Sequence, residues 1–128
     1  METKKIKVLM IDDDIKFLEL IKLNLCDTGK FDVRTETKPM IGISAAKLFK
    51  PDVIILDIVM GGQDGPTLAK ILQEDQNTKD IPIIYLSGVI SPDEEENPHG
   101  YVSKYPRLSK PASTEKIIFC IENILKNK

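Results

Sequence analysis

At 128 residues, the chain is long enough to bury a core without disulfides or a structural metal and too short for two ordinary domains, so residues 1–128 are read as one domain. A net charge of −2, from 18 basic and 20 acidic residues, excludes a global attraction to nucleic acid or anionic membrane. Cys26 and Cys120 fall inside helical patterns and are expected to be reduced core residues, and no apolar run has the length of a signal core or membrane span, so a cytoplasmic protein with no membrane partner is expected.

Ile6 to Ile11 predicts a first strand that ends in Asp12-Asp13-Asp14. Asp13 or Asp14 can cap the helix that follows, whose apolar residues Ile15, Leu18, Ile21 and Leu25 recur at helical spacing up to Gly29. Phe31 to Glu36 alternates as a short strand. Thr37 and Pro39 open a second helix, for which Ile41, Ala45, Leu48 and Phe49 are the expected buried side.

Pro51-Asp52-Val53-Ile54-Ile55-Leu56-Asp57 is an unbroken apolar run that leaves the core on a carboxylate, the pattern of a central parallel strand covered on both faces. A Gly-rich turn, Gly61 to Pro66, leads into a third helix with Leu68, Ile71 and Leu72 inward. Ile81 to Leu86 is the fourth strand and ends in Ser87-Gly88. The segment Ser91 to Gly100 has no apolar helical face and carries Pro92 and Pro98, so a helix there is not expected to exceed about two turns. Tyr105 to Ser109 contains Pro106 and fits a sheet edge. A last helix opens near Ser113 and buries Ile117, Ile121 and Ile124.

Strands alternating with helices predict an α/β sandwich built on a five-stranded, mostly parallel sheet. The doubly wound order 2-1-3-4-5 places strands 1 and 3 side by side at the switch point, where Asp12, Asp13 and Asp57 would meet with Ser87 beside them. Carboxylates within ~5 Å of one another repel by about 3 kcal/mol per pair at an effective dielectric near 20. A hard divalent cation offsets that repulsion, and Mg²⁺ suits an all-oxygen site. With the cation in place one carboxylate can accept a phosphoryl group as an aspartyl phosphate. Lys110, ahead of Pro111, can add a second positive charge, and Ser87 a hydrogen bond to a phosphoryl oxygen. Taken singly, each residue has a plainer role: capping acids, a strand-end hydroxyl, a solvated lysine.

Taken together, Val8 to Asp14, Pro51 to Asp57 with Gln63-Asp64-Gly65, Ile84 to Ser87 and Ser109-Lys110-Pro111 resemble the receiver domain of two-component response regulators over nearly the whole chain. The resemblance implies a flavodoxin-like (βα)5 fold that acts as a phosphoacceptor switch rather than an enzyme. It implies Asp57 as phosphoacceptor, and Asp12, Asp13, Asp57 and the Val59 carbonyl as ligands of Mg²⁺, with Mn²⁺ as a substitute. Ser87, Gly88 and Lys110 would bind the phosphoryl group or respond to it. The donor would be a sensor histidine kinase or a histidine phosphotransfer protein, and no direct contact with nucleic acid is implied. Two departures stand out: Gly61 replaces the family's usual proline, and Arg107 stands where an aromatic residue is usual.

Two other readings differ in class. Asp12-Asp13-Asp14 contains the Asp-x-Asp of a phosphatase similar to the haloacid dehalogenases, although Ile15-Lys16 follow where that family carries Thr or Val. A phosphorylation-independent interaction domain would keep the sheet and leave the acids unused.

Overall fold

The computed structural model describes residues 4–60, 63–87, 107–109 and 112–126. Five strands, β1 (Ile6–Ile11), β2 (Phe31–Glu36), β3 (Val53–Asp57), β6 (Ile83–Ser87) and β7 (Arg107–Ser109), form one sheet in the order β2-β1-β3-β6-β7. Every neighbouring pair in it is parallel. This is the predicted doubly wound order. Between β3 and β6 lies a small hairpin, β4 (Val59–Met60) paired antiparallel with β5 (Gln63–Asp64). The sequence predicts only a turn there, since two-residue strands are too short to show alternation.

Side-chain alternation along the strands divides the core in two. Leu9, Ile11, Ile54, Leu56, Ile83 and Tyr85 point to one side, against α2 (Pro39–Phe49) and α3 (Gly65–Glu74). Val8, Met10, Val53, Ile55, Ile84 and Leu86 point to the other, against α1 (Ile15–Asp27) and α4 (Thr114–Lys126). Both faces of β1, β3 and β6 are therefore buried, which is why their sequences read as apolar runs rather than alternating ones.

The helix ends follow local chemistry. Asp14 is the N-cap of α1, its Oδ1 accepting from the Phe17 N–H at 3.1 Å. The Ser113 hydroxyl accepts from the Lys116 N–H at 3.1 Å and starts α4. Helix α2 ends on Lys50 in the left-handed region, φ 53° and ψ 60°. Thr78, fully buried, donates its hydroxyl to the Leu72 carbonyl at 2.5 Å and closes off the end of α3. Lys7 donates through Nζ to the Phe49 carbonyl at 3.1 Å, with its ammonium 5.0 Å from the centre of the Phe49 ring. The end of α2 is so tied to β1, and the cation lies at the negative end of the helix.

Several burial expectations are corrected. In α2 the inward residues are Gly42, Ile43, Ala45 and Ala46, while Ile41 and Leu48 are exposed. Only Ser44 and Lys47 are polar in this helix, and both lie on the exposed side with Ile41 and Leu48. A Cβ at Gly42 would lie 2.6 Å from Ile11 Cδ1, so the bare glycine is what lets α2 press against β1. Ile15 and Ile71 are exposed at helix positions expected to face inward, and Cys26 is exposed rather than in the core. Cys120 is half-buried, and the burial raises its thiol pKa to about 11. The fifth strand begins at Arg107, and Tyr105 and Pro106 lie outside the described residues.

Candidate functional site

Register brings the site together. Ile11 of β1 is level with Leu56 of β3, so the next residues, Asp12 and Asp57, leave the sheet side by side. Asp57 is in turn level with Leu86, and Ser87 with Ser109 at the ends of β6 and β7. All of these are C-terminal ends of parallel strands, the edge at which doubly wound sheets bind ligands. The backbone continues the order past Asp57, where the Ile58 N–H donates to the Leu86 carbonyl at 2.8 Å.

Asp12 and Asp57 are buried, at 1% and 4% exposure, while Asp13 is exposed. One carboxylate oxygen from each of Asp12, Asp13 and Asp57 lies within 4.8 Å of the others. Asp12 is held firmly: its N–H donates to the Glu36 carbonyl at 3.1 Å, and its Oδ1 accepts from the Asp14 N–H at 2.9 Å. That turn leads directly into α1, so the N-terminus of a 13-residue helix, with its partial positive charge, begins beside the acids. A helix end alone does not balance three carboxylates. The donor set is all oxygen, two of its three members are buried, and the cluster opens to solvent at Asp13, which fits a hard divalent cation that keeps water ligands.

The hairpin adds a further element. Val59 pairs with Asp64 and Met60 with Gln63, which fixes the main chain two residues beyond Asp57. Of the remaining sequence candidates, Ser87 is the last residue of β6, whereas Gly88 and Lys110 lie outside the described residues. The backbone of Arg107 pairs with that of Tyr85, a buried residue of β6. The segment Ser91 to Gly100 lies outside the described residues. Among the described residues, no helix is long and apolar enough to cross a membrane.

A family model, the response regulator receiver domain, matches residues 8–122. The chain belongs to the response regulator receiver family. The receiver is 34% identical over 83 residues to the DNA-binding dual master transcriptional regulator RpaA of Synechocystis, a match that covers 65% of this chain and 34% of that protein. It is 28% identical over 118 residues to the heme response regulator HssR of Staphylococcus saprophyticus, covering 92% of the receiver and 50% of HssR. The chain thus spans between a third and a half of the length of these curated relatives. Among solved structures, a response regulator from Chloroflexus aurantiacus aligns with TM-score 0.81 at 26% identity over 96% of the receiver and 99% of that chain. A Francisella receiver domain aligns with TM-score 0.79 at 29% identity, over 96% and 98% of the two chains. HssR and the two solved neighbours are named as response regulators, and the receiver is a two-component signalling domain.

Proposed function

We propose that this receiver accepts a phosphoryl group on Asp57 and relays the change to a protein partner. The observation that supports the reading best is the convergence of Asp12, Asp13 and Asp57 within 4.8 Å at the switch point of the sheet. Asp12, Asp13 and Asp57, with the Val59 carbonyl, would hold a Mg²⁺ or Mn²⁺ ion. When bound, such an ion offsets the mutual repulsion of the carboxylates and withdraws charge from phosphoryl oxygens.

The chain's own residues then have separate tasks. An Asp57 carboxylate oxygen attacks the phosphorus of a phosphohistidine on a sensor kinase or phosphotransfer protein. The P–N bond breaks, its electron pair returns to the imidazole, and the product is the aspartyl phosphate. Asp12, anchored by Glu36 and the Asp14 N–H, keeps its carboxylate placed while Asp57 reacts. Lys110 and the Ser87 hydroxyl are assigned to the new phosphoryl oxygens, and Gly88 to the loop that moves with Ser87. The group's extra negative charge and acceptor oxygens are what a neighbouring segment can respond to.

Residues 1–128 are proposed to act as one phosphoacceptor unit in the cytoplasm. RpaA is named as DNA-binding, yet the receiver matches only about a third of its length, and a net charge of −2 gives this chain no general affinity for DNA. A direct nucleic-acid contact is therefore not part of the proposal. The phosphatase reading loses its second acid, because Asp14 is exposed and caps α1, while Asp12 clusters with Asp13 and Asp57. Incubation with acetyl phosphate and Mg²⁺ tests the proposal. Stable label on Asp57 is expected; continuous phosphate release through Asp12, or no label at all, would overturn it.

A further inference from the structure

Asp12 is tied to helix α2 by two routes. The first is the main chain: the Asp12 N–H donates to the Glu36 carbonyl at 3.1 Å, and only Thr37 and Lys38 separate Glu36 from Pro39, the first residue of the helix. The second is packing. Ile11, the residue before Asp12, is fully buried and lies against Gly42 in the first turn of α2, where the Gly42 N–H donates to the Lys38 carbonyl at 2.9 Å. Ile11 is also level with Glu36 on one side and, on the other, with Leu56, the residue before Asp57. A displacement of Ile11 is therefore passed to both strand ends that carry the buried acids.

Position 42 has no room for a side chain. A Cβ there would stand 2.6, 2.9 and 3.3 Å from Ile11 Cδ1, Cγ1 and Cγ2. Turning the end of the isoleucine moves only Cδ1, because Cγ1 and Cγ2 are both bonded to Cβ. Relief from those two atoms needs a new χ1, which β-branched chains resist, or a shift of the strand or the helix in a densely packed core. We infer that Gly42 is a positioning residue for the cation site: its missing side chain seats α2 on Ile11 and so holds the Asp12 carboxylate where it can ligate. Gly42 acts through Ile11 and the Asp12 main chain, not as a ligand. The inference rests on the proposal that Asp12, Asp13 and Asp57 hold a divalent cation.

The test compares Gly42→Ala with Gly42→Ala/Ile11→Val in the whole chain; the second change deletes Cδ1, the atom of closest approach. Mg²⁺ affinity by calorimetry, at a temperature where every variant is folded, should fall about fivefold in Gly42→Ala and recover most of that loss in the double variant. Leu25→Ala opens the core on the other face of the sheet and controls for lost stability alone, so its Mg²⁺ affinity should not change. A readout without metal is the amide exchange of Asp14, whose N–H donates to Asp12 Oδ1 at 2.9 Å. It should quicken in Gly42→Ala and slow again in the double variant. If Gly42→Ala does not fold, the double variant is set against Ile11→Val, which leaves a gap in place of the clash, and Asp14 exchange should be slower in the double variant. Unchanged affinity and exchange in Gly42→Ala, an equal loss of affinity in Leu25→Ala, or no recovery in the double variant would overturn the inference and leave the cation reading intact. Absence of Mg²⁺ binding by the unsubstituted chain would overturn the cation reading, and the inference with it.

Discussion

The three aspartates differ in what their loss would do, and burial decides how. Asp13 is exposed, so Asp13→Ala removes a proposed Mg²⁺ ligand without opening the core; Mg²⁺ affinity measured by calorimetry should fall about tenfold or more, roughly 1.4 kcal/mol, while the unfolding midpoint without metal stays put. Asp57→Asn keeps the shape and removes the proposed nucleophile, so acetyl phosphate labelling should vanish with an unchanged circular dichroism spectrum. Asp12 is a less clean target, since its Oδ1 also accepts the Asp14 N–H that starts α1. The cysteines give a separate test. Cys26 is exposed, whereas burial raises the Cys120 thiol to about pH 11, so iodoacetamide at pH 8 should alkylate Cys26 first in peptide maps. A raised thiol pKa also has a fixed sign for stability. The contribution is complete below the unfolded value near 9 and is lost as pH rises toward about 11, so the stability decline across that window should be shallower in Cys120→Val.

Helix α2 is the element on which most of the unexpected features meet. It enters on Lys38 without a side-chain cap, sits on β1 through Gly42, and leaves on a left-handed Lys50. Alanine is the better helix former, yet Gly42→Ala should destabilise by about 1–3 kcal/mol in urea unfolding, because the new Cβ meets Ile11 Cδ1 at 2.6 Å. Ile11 immediately precedes Asp12, so the same variant should also weaken Mg²⁺ binding if the strand end moves with it. Lys50→Gly has the opposite expectation. A residue with a Cβ pays about 1 kcal/mol to hold φ near +53°, and glycine does not, so the midpoint should rise by up to that amount. The Lys47–Asp75 pair beside it lowers the Asp75 pKa through the Lys47 hydrogen bond first, so whatever it adds is present above the unfolded carboxylate value and lost in acid. The pair lies at the surface, with Asp75 partly exposed, and is a positioning contact between α2 and the end of α3 more than a source of stability.

For the whole molecule, the concentration of carboxylates at one sheet edge makes folding and cation binding interdependent. The folded chain brings Asp12, Asp13 and Asp57 together and the unfolded chain does not, so Mg²⁺ at ten times its dissociation constant should add about 1.4 kcal/mol to stability. Urea unfolding with and without Mg²⁺ measures this, and Asp13→Ala should remove most of the difference. A hard cation of the same charge should act in the same direction, whereas raising ionic strength with NaCl should give a much smaller effect.

Much of this architecture was legible in the chain because both of its main signals are local. Apolar runs ending in Asp12, Asp57 and Ser87 mark strands buried on both faces, and helical spacing between them forces parallel crossovers, so strand order and the identity of the clustered acids followed from pattern alone. Three things did not follow. The Val59–Asp64 hairpin is too short to carry a period. The exposure of Ile15, Ile71 and Cys26 depends on how far each helix is covered by its neighbours, which spacing within one helix does not state. The facing of α2 is the clearest case: only Ser44 and Lys47 are polar in it, and spacing among so many apolar positions points to more than one buried side. In the fold the bare Gly42 meets Ile11, 31 residues earlier on β1, and this packing goes with the rotation that buries Ala45 and Ala46 and leaves Met40, Ile41 and Leu48 outside.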